Sequence, residues 1–144
     1  MSATPQRPHE VAPLALTARV LIPFVLVYGV YVIMHGDFGP GGGFQGGVIL
    51  AAAYILYALV YGVPAAQRAL PRRITDKTAA FGVMIYSGVG VVCLLKGGMF
   101  LDYNVLDPHH VQHGQELGMT LVEYGVGLTV SSVMITIFNE IAEE

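Results

Sequence analysis

The chain has 144 residues, of which 54% are hydrophobic and 12% are charged, with a formal net charge of −3 and a mean hydropathy of +0.62. Soluble domains carry roughly 25% charged residues, so these values exclude an ordinary water-soluble fold and favour an integral membrane protein, because lipid penalises buried charge. The small net charge gives no reason to expect a nucleic-acid partner, and the single cysteine, Cys93, excludes an internal disulfide.

Four apolar stretches are each long enough to cross about 30 Å of hydrocarbon as a helix. They lie at about residues 14–34, 43–63, 79–101 and 117–138. The sequence therefore predicts an all-α integral membrane protein, a bundle of four transmembrane helices over residues 14–138. Residues 1–13 form an N-terminal tail, residues 139–144 form a C-terminal tail, and no second domain is expected.

The positive charges predict the orientation of this bundle. Six of the seven Lys and Arg residues fall in or beside the N-terminal tail and the connection between the second and third spans: Arg7, Arg19, Arg68, Arg72, Arg73 and Lys77. With four spans these two regions lie on one side of the membrane, and the loops on the other side contain no Lys or Arg. Since positive loops stay inside, both termini are predicted to be cytoplasmic.

A glycine-rich segment connects the first two spans and begins the second. It reads Pro40-Gly41-Gly42-Gly43-Phe44-Gln45-Gly46-Gly47. Overlapping G-x-x-x-G pairs leave one face of the helix almost without side chains, so another backbone can approach closely. That approaching backbone could belong to a partner helix, which makes the segment a helix-docking motif, or to this chain's own bundle, and the sequence leaves both interpretations open. A match to the dinucleotide-binding G-x-G-x-x-G pattern is rejected because no strand precedes it.

Two ionisable residues lie inside the predicted spans. Lys96 precedes the end of the third span by five residues, and Glu123 follows the start of the fourth by six. Both are thus predicted to lie roughly 7–9 Å below the outer end of the bundle. On neighbouring antiparallel helices they could form a structural ion pair or handle a cation or proton, and Lys96 could instead snorkel to the interface. Glu123 is the stronger candidate for the ion path, because a short carboxylate cannot snorkel so far.

The fourth predicted helix carries two stripes of small and polar residues. One stripe joins Glu123 to Thr120, Gly127 and Ser131, and the other consists of Gly125, Thr129, Ser132 and Thr136. Such stripes pack against protein rather than lipid. The sequence therefore predicts that this helix sits inside a larger assembly.

The outer loop contains His109, His110 and His113. A spacing of four between His109 and His113 suits metal ligands on a helix, but no cysteine accompanies them and the segment is predicted to be a loop. A solvated polar loop is the favoured interpretation, and a patch that collects protons or cations is the alternative, since histidine titrates near neutral pH. No metal site, cofactor or catalytic residue is predicted.

The segment from His35 to Gly47 is similar to the signature of the MrpB/MnhB family, which forms one subunit of the multi-subunit Mrp-type Na+/H+ antiporter. The segments Lys96–Leu101 and Gly125–Phe138 also resemble this family. The resemblance covers nearly the whole chain apart from its first dozen residues.

The resemblance implies a non-enzymatic subunit of a hetero-oligomeric complex that exchanges cytoplasmic Na+, or another monovalent cation, for external protons. Its partners would be the other antiporter subunits in the lipid bilayer of a bacterial or archaeal plasma membrane. A shortage of ionisable residues at mid-membrane depth favours an accessory role in assembly and docking, with some part in shaping the ion path. Two alternatives stay open: a membrane-arm subunit of a hydrogenase-like redox complex, and a small self-associating channel.

Overall fold

The computed structural model describes residues 8–36, 38 and 41–143, and within these ranges it contains helices and turns but no strand. The helices are α1 (Pro8–Met34), α2 (Gly43–Tyr61), α3 (Val63–Ala69), α4 (Arg72–Leu95) and α5 (Val111–Glu143). A 3₁₀ turn at Tyr103–Val105 lies between α4 and α5. Among the described helices, α1, α2, α4 and α5 are long and apolar enough to cross a membrane. The predicted all-α architecture with four transmembrane helices is confirmed.

Several helix ends differ from the predicted spans. The segments 64–78 and 102–116 were predicted as loops, but α3 and the start of α4 fill most of the first segment, and α5 begins at Val111 in the second. Pro64 lies in the first turn of α3, where a missing N–H breaks no helical hydrogen bond. α4 ends at Leu95 rather than near residue 101, since the chain turns at Gly97, whose φ of 86° favours glycine.

The four long helices form a row in the order α1, α2, α5, α4, with α1 and α4 at the two edges. Along the central interface, Gly43 lies beside Glu123, and Gly47 lies beside Gly127. Because these contacts advance in the same direction along both chains, α2 and α5 are parallel. The outer neighbours, α1 with α2 and α4 with α5, are antiparallel.

Glycines lie at the closest approaches of α2 to both of its neighbours. A side-chain carbon on Gly46 would lie 2.7 Å from the carbonyl oxygen of Gly29 in α1. On Gly47 it would lie 2.8 Å from the carbonyl oxygen of Gly127 in α5. Only a hydrogen atom fits at such separations, which is how small-residue faces allow membrane helices to pack through their backbones.

The α4–α5 interface is built in the same way. A carbon on Gly82 would lie 2.5 Å from the carbonyl oxygen of Gly125, and one on Gly125 would lie 2.8 Å from that of Gly82. Thr129 Oγ1 donates to the Gly125 carbonyl at 2.9 Å and lies 3.3 Å from the carbonyl of Ala79 across the interface. Gly125 and Thr129, two residues of the second predicted stripe, therefore face α4 of this chain.

The interior is made of small side chains, and many large apolar side chains point outward. Ala51, Ala53 and Ala58 are almost completely buried in α2, whereas Phe24 is 70% exposed and Leu95 is 82% exposed. Such a distribution suits a chain whose surroundings are themselves apolar, because lipid tails remove the drive to bury large side chains.

Candidate functional site

The turn between α1 and α2 packs against the last turn of α1. The N–H of Gly42 donates to the carbonyl of Val32 at 3.3 Å. Gly41 has a φ of 154° and Gly42 a φ of 123°, in the range that side-chain-bearing residues rarely adopt. Pro40, the first residue of the predicted docking motif, lies outside the described residues. We call the described residues Gly36, Gly41, Gly42 and Gly43 the glycine turn.

The carboxylate of Glu123 lies on the glycine turn. A side-chain carbon on Gly36 would overlap this carboxylate, and one on Gly42 would lie 3.1 Å from its Oε1. A carbon on Gly43 would overlap the backbone carbonyl of Glu123 itself. The end of α1, the start of α2 and the middle of α5 thus converge on one half-buried carboxylate. Gly43 is the first residue of α2, and the positive end of a helix dipole favours a negative charge there.

The structure does not bring Lys96 to Glu123. Lys96 is the first residue after α4, and its Nζ donates to the carbonyl of Leu106 at 2.9 Å. Glu123 is the thirteenth residue of α5, because that helix begins at Val111. The predicted match in depth fails because α4 ends earlier, and α5 begins earlier, than the predicted spans. Lys96 instead holds the loop that connects the two helices.

This connecting loop packs on the first turns of α5. Carbons built on Gly114 would lie 2.8 Å from the backbone oxygen of Tyr103, and Gly118 faces the Tyr103 ring. His109 and His110, by contrast, are exposed. In the part of the chain that the structure describes, no group of three or more His, Cys, Asp or Glu side chains could hold a metal ion.

Asp107 orders the start of α5. Its Oδ1 accepts from the backbone N–H of His109 at 3.1 Å and from that of His110 at 3.2 Å. Desolvation acts to raise the pKa of Asp107, but the two backbone hydrogen bonds and the nearby imidazoles outweigh it and hold the pKa below its ordinary value.

The other polar stripe of α5 faces α2. Gly127 and Ser131 are buried, and Gly127 lies against Gly47 and against Ile33 of α1. Both stripes that the sequence predicts to face protein are therefore covered, at these positions, by helices of the same chain.

The predicted helix-docking motif divides into two parts. Gly43, Gly46 and Gly47 pack against α1 and α5 of this chain, which is the internal packing that the sequence left open. Phe44 points outward and is 65% exposed. Docking of a partner helix at Phe44 stays a prediction.

An aromatic ladder runs along the outer side of α1 and past its end. It consists of Tyr28, Tyr31, His35 and Phe38, whose successive ring centroids are 6.3, 5.0 and 5.7 Å apart. Tyr28 is 58% exposed, Tyr31 is 54% exposed and Phe38 is 78% exposed. The ladder was not among the features predicted from the sequence, although the i, i+3 and i+4 spacing of its rings is a visible signal.

Gly29 and Gly82 were also missed by sequence analysis. Gly29 is the one glycine of α1 and Gly82 is one of three in α4, and a glycine inside an apolar helix often has a packing reason. A further missed contact joins Tyr54 to Asn139, whose Oδ1 accepts from the tyrosine hydroxyl at 3.1 Å. Nothing in the sequence relates two positions this far apart.

Comparison with known proteins finds one family over most of the chain. Residues 13–136 match the model of a domain related to the MnhB subunit of Na+/H+ antiporter. A putative antiporter subunit mnhB2 of Staphylococcus epidermidis is 32% identical over 127 residues, which cover 86% of this chain and 89% of the relative. The corresponding Na+/H+ antiporter subunit of Alkalihalophilus pseudofirmus is 31% identical, with 88% of each chain covered, and that of Bacillus subtilis is 28% identical, with 89% of this chain and 91% of the relative covered.

Proposed function

This chain belongs to the family of the MnhB subunit of Na+/H+ antiporters, and from that membership we propose that it is an accessory subunit of a multi-subunit antiporter that exchanges Na+ for protons. It is a multi-pass protein of the plasma membrane. The observation that carries the proposal is the family match, which runs through all four long helices rather than a single motif.

The distribution of charge supports an accessory role. Among the described carboxylates, Glu123 lies farthest from the ends of its helix, while Asp76, Glu116 and Glu140 lie within about two turns of theirs. A proton path across a membrane needs a series of ionisable groups at depth. One such carboxylate can contribute to a path, and the main path belongs to other subunits.

The aromatic ladder and Phe44 form the proposed assembly surface. Phe44 and the last rings of the ladder, His35 and Phe38, are close in sequence to the glycine turn, where α1 ends and α2 begins. Aromatic residues are enriched where protein surfaces meet, and rigid rings lose little entropy when a partner covers them. We assign this surface to contact with a neighbouring subunit.

Glu123 is the residue proposed to shape the ion path. Its carboxylate lies where the end of α1, the start of α2 and the middle of α5 converge, and the glycine turn beside it exposes backbone rather than side chains. A cation or proton arriving there would meet a carboxylate and backbone polar groups, both of which can bind hard cations.

Orientation is part of the proposal, with both termini and the α2–α4 connection in the cytoplasm. Cysteines introduced at the exposed positions Arg73 and His110, in a Cys93→Ser background, should react oppositely with a membrane-impermeant thiol reagent. Labelling of position 73 from outside intact cells would reverse the assignment.

The experiment that tests the proposed function is mass spectrometry of proteins that co-purify with the tagged chain in mild detergent. We expect large antiporter-type membrane subunits, and we expect Tyr31→Ala with Phe44→Ala to release them. The matched control is Phe81→Ala on the outer side of α4, where the ring is 56% exposed. Recovery of redox subunits would favour the hydrogenase-like complex, and recovery of this chain alone would favour a self-associating channel.

A further inference from the structure

A cleft of about 370 Å³ opens between the two edge helices, in the half of the bundle away from the glycine turn. α1 and α4 form its sides, because each packs on a central helix rather than on the other. Its floor comes from α2 and α5. The residues that define it include Ile22, Leu26, Ala53, Tyr54, Thr78 and Ile135.

Four of the six hydroxyls that line the cleft donate within the chain, and those of Tyr57 and Ser132 make no hydrogen bond to the described residues. The hydroxyl of Tyr54 donates to Asn139, that of Thr75 to the carbonyl of Arg72, and that of Thr78 to the carbonyl of Ile74. A hydroxyl whose proton is already donated within the chain offers no donor to an occupant of the cleft. The cleft therefore favours an apolar occupant that needs no hydrogen bond.

The cleft continues along α1 to a positive charge. Ile22 and Tyr57 line it and also line a second cavity of about 240 Å³ that contains Arg19. Arg19 and Tyr61 in turn line a third cavity of about 220 Å³. We call these three adjoining cavities the α1 trough. It is apolar at its deep end and carries Arg19 at the other.

Arg19 lies seven residues inside the apolar span that begins at Ala12, which corresponds to roughly 10 Å along the helix. Its side chain can reach the headgroup region by snorkelling. Among the described side chains, the ion pairs join Arg72 to Glu140 and His110 to Asp107. Arg19 forms no ion pair with a described side chain. A guanidinium at headgroup depth is suited to a phosphate, which it can bind through two parallel hydrogen bonds.

The deep end of the trough is closed on the side of the glycine turn. There Ile33 of α1 lies against Gly127 of α5, so that the edge helix touches a central helix directly. A transmembrane helix of a partner is about 10 Å wide and crosses the whole membrane. An occupant confined to one half of the bundle, apolar at one end and anionic at the other, has the shape of a lipid in one leaflet.

We propose that the α1 trough is a binding site for one anionic phospholipid, with an acyl chain in the cleft and the phosphate at Arg19. The Arg19 end of the site lies at the opposite end of the bundle from Glu123, and the site does not depend on the antiport function. Basic pockets between transmembrane helices are known to hold lipid headgroups.

The proposed contact between Arg19 and the lipid headgroup is tested by native mass spectrometry of the full chain in detergent. The chain is titrated with phosphatidylglycerol or with phosphatidylcholine of the same acyl chains. The wild type should retain one phosphatidylglycerol at least about fivefold more tightly, as expected for a single cation at headgroup depth. Arg19→Gln should abolish the difference. Arg73→Gln removes an exposed charge that lines none of the three cavities and should leave the preference intact.

The acyl-chain half is tested by filling the trough. Ile22→Trp should lower retention of both lipids, and Thr78→Trp, from the opposite wall, should do the same if the first variant folds poorly. Val20→Trp places the same bulk on an outward position of α1 that is 53% exposed and should change nothing.

The proposal is overturned if Arg19→Gln keeps the wild-type preference, or if both filled variants retain lipid as the wild type does while staying monodisperse. Equal retention of the two lipids by the wild type would also overturn it. A photo-reactive group at Thr78 should crosslink to lipid in membranes. Crosslinking to another protein instead would assign the cleft to a partner subunit.

Discussion

The central helices α2 and α5 are held together differently at their two ends. Near the glycine turn, Gly43 and Gly47 bring the two backbones into direct contact, and no side chain separates them. At the other end the contact is made by side chains, with Tyr54 bonded to Asn139 beside a cleft of about 370 Å³. The first end depends on glycines that leave room for backbone contact, and the second depends on side chains that bridge the two helices. Added atoms should therefore destabilise the first end, and removed atoms should destabilise the second.

The largest effect is expected from adding atoms at the glycine end. Gly47→Leu must push apart α2 and α5, because the Gly127 carbonyl cannot move out of the way independently of its helix. We expect a loss of about 3 kcal/mol or more in the free energy of unfolding, seen as loss of the monodisperse chain after heating in detergent.

Gly88→Leu is the matched control for this prediction, since a carbon at Gly88 would meet no atom within 4 Å. The control should leave the chain as stable as the wild type or slightly more so. Equal stability of both leucine variants would show that close backbone contact does not hold the central pair together.

The second-largest effect is expected on ion exchange, when the carboxylate of Glu123 beside the glycine turn loses its charge. Glu123→Gln keeps the size of the side chain and removes its charge. If Glu123 shapes the ion path, cation-driven proton exchange per assembled complex should fall at least about tenfold, the effect of roughly 1.4 kcal/mol on the barrier. The amount of assembled complex should stay normal.

Glu123→Asp is the control that preserves the charge and should retain part of the exchange. Lys96→Met should leave exchange unchanged, because Lys96 bonds to the Leu106 carbonyl. If Glu123→Gln lowers assembly and exchange together, the carboxylate is structural and its proposed role in the ion path is wrong.

A smaller effect is expected at the side-chain end. Tyr54→Phe removes only the hydroxyl that donates to Asn139, and hydrogen bonds between membrane helices average about 0.6 kcal/mol. Tyr57→Phe is a matched control, because its hydroxyl makes no hydrogen bond to the described residues. In a thermal melt, the melting temperature of Tyr54→Phe should lie slightly below that of the wild type, and that of Tyr57→Phe should equal it. A loss of stability in Tyr54→Phe as large as that in Gly47→Leu would contradict the contrast between the two ends.

The smallest effect is a pH response outside the central pair, in the loop that leads into α5. The pKa of Asp107 is lowered in the folded chain, so its contribution to stability is complete above its ordinary pKa of 3.8 and is lost as the pH falls through the lower folded value. Amide resonances of His109 and His110 should therefore shift together only in strong acid. Asp107→Asn keeps an acceptor oxygen without a charge that titrates and should abolish the transition; persistence of the transition would assign it to another group.

The sequence was sufficient to predict the four spans, the turn between the first two, and the protein-facing stripes of α5, because each depends on local hydropathy or on glycine spacing. The pairing of α2 with α5 was not predictable, since the chain between them includes another membrane helix and no local pattern specifies parallel neighbours. The placement of Lys96 failed for a related reason. Its predicted depth depended on helix ends, and a positive φ at Gly97 ends α4 sooner than hydropathy suggests.

The proposal that this chain is a working subunit of a cation/proton antiporter can be tested in everted membrane vesicles from cells that lack other antiporters. The cells would express all subunits of the complex with or without this chain, and Na+ would be added after respiration has acidified the vesicles. We expect Na+ to collapse the pH gradient only when the chain is present. The same collapse without the chain, or with the chain expressed alone, would contradict it.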